Sequence, residues 1–248
     1  MKDPPLPQAG ETLLHDVYEV LVTKCMMWAL VAALLLVAML TSWWHFLVPT
    51  TPAPGYATAI AIPIVVLAVI QVYRGLKETK RLRLGMEGEQ SVGQTLERMR
   101  AFGYEVFHDV PGKGFNVDHV LIGPAGLFVI ETKAVSKLAQ GSPVVKYDGE
   151  RVLVNGLRPD RDPVVQARAA AAFICDLLAN ILERRVPLRP VVLYPGWFVE
   201  KQPRGIEVWV LNPKALAPFV LHEIIVLTPR DVARLAEVLA RHVRSCIE

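Results

Sequence analysis

The chain predicts an α/β soluble part preceded by a two-helix transmembrane hairpin. Three observations carry this. Two uncharged apolar runs lie near the start, at 25–48 and 56–73. After residue 84 the patterns follow one another as helix, strands, helix, strands, helix. The strand patterns are short, apolar and bounded by Gly and Pro. The 248 residues are 52% hydrophobic and 21% charged, more apolar than an average soluble domain, and the excess sits almost entirely in the two runs.

The first run holds 24 residues without a formal charge, and roughly 20 suffice to cross a hydrocarbon core. A secretory signal would be shorter and would end at small residues. Here Trp43, Trp44 and His45 close the run, as an interfacial aromatic belt does. The second run is flanked by Tyr56 and Tyr73 and contains Pro63, which a neighbouring helix makes tolerable. A buried core helix is the alternative for this shorter run; the short loop at 49–55 favours a hairpin. That loop has no Lys or Arg, whereas Arg74, Lys77, Lys80, Arg81 and Arg83 follow the second run. Positive residues stay on the cytoplasmic side. The expectation is therefore a multi-pass protein of the cell membrane with both termini and the soluble part cytoplasmic. Residues 1–24, with Leu13, Leu14, Val17, Tyr18, Leu21 and Val22 at helical spacing, predict an amphipathic segment on that face.

Residues 74–84 read as a basic juxtamembrane linker. A helix begins at Gly85 and closes at Gly103. Strands follow at 104–110, 115–122 and 127–133, joined by turns at 111–114 and 123–126. A hairpin spans 144–154 about Asp148 and Gly149. Asp162 caps a helix that opens on Pro163 and runs to about Arg185. Further strands lie at 191–194 and 206–211, and a last helix from Pro229 turns Val232, Leu235, Leu239 and Val243 to one side.

The net charge of +3 and a pI of about 8.8 permit contact with a polyanion without demanding it. Cys25, Cys175 and Cys246 form no CxxC or Cys/His spacing, so neither a zinc site nor a disulfide framework is indicated, and a reducing compartment fits best.

The chemistry gathers around the turn at 123–126. If the loop is those four residues, Ile122 faces Leu127 and Asp118 faces Glu131. Opposed residues of an antiparallel pair have Cβ atoms roughly 4.5–5.5 Å apart, so two carboxylates stand on one sheet face. Such a pair calls for a cation, and a hard divalent ion with oxygen ligands is the natural one. Lys133 is two residues beyond Glu131 and shares its face. Solvent-facing charge is the plain alternative, but the flanks 120–122 and 127–130 are wholly apolar, so both faces read as buried.

The run from Asn116 to Lys133, NVDHVLIGPAGLFVIETK, resembles the core of the nuclease-related, or NERD, domain. Gly88 with Glu89, His108-Asp109-Val110 and Pro163-Val-Val-Gln166 match its pattern in the same order. The likeness covers about 85–200, leaving 201–248 to complete the soluble part. The family is similar to the PD-(D/E)XK nucleases, so the resemblance implies a restriction-endonuclease-like mixed sheet flanked by helices. It also implies Mg²⁺ or Mn²⁺ on Asp118, Glu131 and the carbonyl of Thr132, with Lys133 as catalytic lysine. Glu89 is implied as an additional acid, and Gln166 as the glutamine approaching from the following helix. A metal-dependent phosphodiesterase acting on nucleic acid is the first expectation; a nuclease-like binding or scaffold module without turnover is the alternative. Trp197 and Trp209 read as core aromatics rather than base-stacking ones.

Overall fold

The computed structural model describes residues 6–9, 17–48, 54–136, 143–179, 181–182 and 184–247. Part of the amphipathic segment, including Leu13 and Leu14, and most of the loop at 49–55 lie outside them. The chain divides into a unit at 12–83 and a second formed by 1–11 and 84–248.

In the first unit a π-helical turn, Leu21–Met26, runs into helix α1, Met27–Leu47. Among the described residues α1 is the helix long and apolar enough to cross a membrane, with no buried residue. The second apolar run lies in α2, Pro54–Glu97, which contains Pro63. This corrects two expectations: the helix does not begin at Gly85, and 74–84 is helical rather than a linker. Arg, Lys, Leu and Glu fill that stretch, all good helix formers, and the isolated Gly75 and Gly85 do not suffice to stop it.

The second unit is built on two sheets. Strands β1 (Glu105–Pro111), β2 (Asn116–Gly123), β3 (Gly126–Thr132), β6 (Leu188–Leu193) and β8 (Trp209–Leu211) form a five-stranded sheet in the order β1-β2-β3-β6-β8. The first three are antiparallel; β6 runs parallel to β3, and β8 parallel to β6. A smaller sheet joins β5 (Val152–Val154), β4 (Val144–Tyr147) and β7 (Phe198–Val199). Helices α3 (Pro163–Leu178), α4 (Pro213–Leu221) and α5 (Pro229–Ile247) complete the unit.

Each face of the large sheet is covered. Leu127 and Val129 of β3 pack with Ala170 and Ile174 of α3 and Leu235 and Leu239 of α5. Phe128 and Ile130 point the other way, towards Val92 and Leu96 of α2 and Leu216 of α4. This is why β3 is buried along its whole length and reads as an unbroken apolar run. The Gly123–Gly126 turn tolerates no larger residue at its ends: a Cβ on Gly123 would run into the Tyr104 ring, and Gly126 sits at φ +120°. Helix α3 stops at Leu178 rather than near Arg185, and α4 and β7 are additions to the elements read from the sequence.

Candidate active site

The β2–β3 register pairs Ile122 with Leu127 and His119 with Ile130. One step further along the same ladder, Asp118 stands opposite Glu131. Asp118 continues the row of Val120 and Ile122, and Glu131 that of Leu127 and Val129, so both belong to the face under α3 and α5. In place of a further ladder bond, the Thr132 N–H donates to Asp118 Oδ2 at 2.6 Å. Beyond β3, Lys133 N–H donates to the Leu193 carbonyl at 2.8 Å, which holds the lysine beside β6. Its Nζ lies 2.5 Å from Glu131 Oε1 in a mostly buried ion pair.

A third acid joins the row. The pairs His108–His119 and Val110–Val117 bracket Asp109 opposite Asp118, so Asp109, Asp118 and Glu131 line up across three neighbouring strands. Asp109 is buried and holds φ 47°, a left-handed conformation that Asp adopts more readily than most residues. Sequence reading left Asp109 without a role. A turn at 111–114 would pair Asp109 with Asn116. The turn observed is 112–115, closed by the Gly112 N–H donating to the Phe115 carbonyl at 2.8 Å. That one-residue displacement of the turn moves the register by two and brings the acid into the row; its sign in the sequence is the motif His108-Asp109-Val110.

Electrostatics tie Glu89 to the same place. Burial first, then the Asp109 and Glu131 carboxylates, push its carboxyl up to about 8, against a smaller downward pull from Lys133. Burial, Glu131 and Glu89 likewise raise Asp118 well above the usual carboxylate range, opposed by the Thr132 N–H and Lys133. The two residues that the strand geometry brings together are thus joined by Glu89 from α2, seven residues before the core residue Leu96.

Gln166 occupies the first turn of α3. Asp162 caps that helix, accepting from the N–H groups of Val164 and Val165 at 2.9 and 3.4 Å. The buried face of α3 centres on Val164, Ala167, Ala171 and Ile174; Gln166 and Phe173 flank it rather than lead it. The Gln166 Oε1 is buried without a hydrogen-bond partner, as is Thr132 Oγ1 beside Asp118. Unsatisfied buried oxygens are rare, and here they belong to residues in or implied in the site. Among the described residues, no three His, Cys, Asp or Glu side chains form a metal-holding group.

His119, on the opposite face from Asp118, is fully buried. Its Nδ1 lies 2.8 Å from His108 Nδ1, and burial holds its pKa well below the usual value. It stands apart from the acids. Trp197 and Trp209 are core residues, 2% and 8% exposed.

A mixed sheet that lines acids from adjacent strands beside a lysine, with helices on both faces, defines an α/β domain. Residues 84–195 match the family model described as the nuclease-related domain, NERD. No curated protein and no solved structure gives a significant match.

Proposed function

We propose that the protein is a membrane-anchored phosphodiesterase that cuts nucleic acid at the cytoplasmic face with Mg²⁺ or Mn²⁺. The observation that carries this is the convergence of Asp118, Glu131 and Glu89 on one place at the end of β3, with Lys133 Nζ 2.5 Å from Glu131. The donor set suits a hard cation. It offers two carboxylates on adjacent strands and the Thr132 carbonyl, in surroundings where burial and neighbouring acids raise Asp118. Mg²⁺ binds through one or two protein carboxylates and keeps several waters, so a third acid ligand is not required. When bound, the ion supplies Lewis acidity to a phosphate oxygen and lowers the pKa of a water.

The residues divide the remaining work. Asp118 and Glu131 would hold the ion, Asp118 being fixed by the Thr132 N–H. Lys133 offsets charge that develops on the phosphate in the transition state. Glu89, its carboxyl pushed up to about 8 by burial and then by Asp109 and Glu131, would hold a proton at neutral pH while no ion is bound. Gln166 offers a free amide oxygen to orient a water. The fold read this way is restriction-endonuclease-like. The second apolar run, inside α2, pairs with α1 as the membrane hairpin.

One observation favours a scaffold without turnover: the close Lys133–Glu131 pair is also what a structural counter-ion would form. The two readings part in one set of measurements on the full chain in detergent, with DNA and RNA and with Mg²⁺, Mn²⁺ or EDTA. Lys133→Met should lower cleavage by about 100-fold or more while Mn²⁺ binding by calorimetry persists. Asp118→Asn should weaken both. A wild type that binds no divalent ion and cuts neither substrate hands the site to the scaffold reading.

A further inference from the structure

The second unit carries a cleft of about 1400 Å³ between the loops that follow β6 and β8 and the α2 and α4 side of the large sheet. Small-molecule sites run to about 300–1,000 Å³, so this one suits an extended ligand. Its charge is uneven. Arg189, Lys201, Arg204 and Lys214 line it, and among the described residues none of the four makes an ion pair. Of the two acids there, Glu200 is already paired with Lys146 at 3.1 Å.

Arg189 is the telling one. Its guanidinium is half-buried, lies 5.0 Å over the Trp209 ring, and uses Nη1 to donate to the Ile206 and Glu207 carbonyls, each at 3.1 Å. A cation withdrawn from water and held in place without a carboxylate is arranged for an anion from outside. Around it stand two exposed rings: Phe198 is 65% exposed, and Phe219, edge-on to Trp209 at 5.4 Å, is 46% exposed.

The position matters as much as the lining. Strands β3, β6 and β8 run parallel, so the segments leaving them emerge at one edge of the sheet, where ligands of such sheets bind. Lys133 leaves β3 there. The cleft wall is tied to that segment by hydrogen bonds: Trp197 Nε1 donates to the Val135 carbonyl at 3.1 Å, and Asn212 Nδ2 to the Trp197 carbonyl at 2.7 Å.

We propose that this cleft seats a single-stranded nucleic acid segment, its phosphates on Arg189, Lys201, Arg204 and Lys214 and its bases against Phe198 and Phe219. Phosphate contact by unpaired cations and base stacking on exposed rings are the two elements of strand binding without sequence preference. A duplex hides the base faces that the phenylalanines would meet. The inference rests on the phosphodiesterase reading and adds to it the strandedness of the substrate and the surface that holds it.

The test is fluorescence anisotropy with labelled dT12 and a duplex of equal length, using the full chain in detergent and EDTA so that nothing is cut. The single strand should bind about tenfold tighter or more. K201E/R204E/K214E should weaken it about tenfold or more and reduce the slope of log affinity against log salt by about 2, since each lost single-strand phosphate contact removes roughly 0.7. Phe198→Ala, at an exposed position, should cost about fivefold or more. Equal binding by the triple variant, equal binding of duplex, or displacement of dT12 by a mononucleotide at like affinity overturns the proposal. The two readings fail separately. If the triple variant loses dT12 but wild type cuts nothing with Mg²⁺, the cleft stands and hydrolysis falls. If wild type cuts and the triple variant cuts single strands with the same KM, the cleft falls and hydrolysis stands.

Discussion

The burial of Glu89 and Asp118 among other acids carries a cost that pH exposes. Glu89 titrates near 4.5 in an unfolded chain and near 8 in the fold, chiefly through burial and then through Asp109 and Glu131. Between those values the folded protein holds a proton that the unfolded chain has released. Stability therefore falls as pH rises from about 4.5 to 8 and levels off above, by an amount on the order of a few kcal/mol. Asp118, also raised, contributes in the same direction. Glu89→Gln should flatten the profile, so that the variant melts higher than wild type at pH 8.5 and close to it at pH 5, both in EDTA. An unchanged slope in the variant would mean that Glu89 is solvated and ionised, and would detach it from the site. Asp118, Glu131 and Lys133 were legible because a four-residue turn and period-two alternation settle which side chains meet. Asp109 was not, since its place depends on where the neighbouring turn closes and on a positive φ that strand patterns do not encode.

Elements with their own local signals could be read, and elements that exist only by pairing could not. Helix α5 shows Val232, Leu235, Leu239 and Val243 at helical spacing, and all four are buried. Helix α3 shows Asp162 followed by proline, and the cap is made. Helix α4 carries the same signature in Asn212 and Pro213, with Asn212 accepting from the Lys214 N–H, but Pro218 in its interior masks it. Strand β7 is two residues long and owes its form to parallel pairing with β4, which no local pattern announces. The length of α2 escaped notice because a change in hydropathy at residue 74 looks like a boundary, whereas the backbone continues through good helix formers. These distinctions have energies attached. Asp162→Ala should cost about 1 kcal/mol by removing the α3 cap. Leu235→Ala should cost about 2–5 kcal/mol by opening a cavity between α5 and the sheet. Urea unfolding would compare them, and a cap variant as damaging as the core variant would show that Asp162 does more than cap.

For the whole molecule, the distribution of charge bears on which side of a membrane the acids face. One helix, α1, is long and apolar enough to cross a membrane. If it crossed alone, the two termini would lie on opposite sides. If the run at 56–73 crosses as well, they lie on the same side. The five positive residues between 74 and 83, against none in the loop at 49–55, then place that side in the cytoplasm. A nuclease acting on the cell's nucleic acid needs that outcome, and the free thiols Cys175 and Cys246 are at ease in a reducing compartment. Substituted-cysteine labelling of intact cells, in a background with the three native cysteines replaced, decides it. A membrane-impermeant maleimide should modify Thr51→Cys and leave Lys201→Cys unmodified until the cells are opened. Labelling of both sites would mean that α1 crosses alone with its start inside, and labelling of Lys201→Cys with Thr51→Cys protected would mean that the hairpin is inverted. Either result would carry the soluble unit, with its acid row and its basic cleft, out of reach of cytoplasmic nucleic acid.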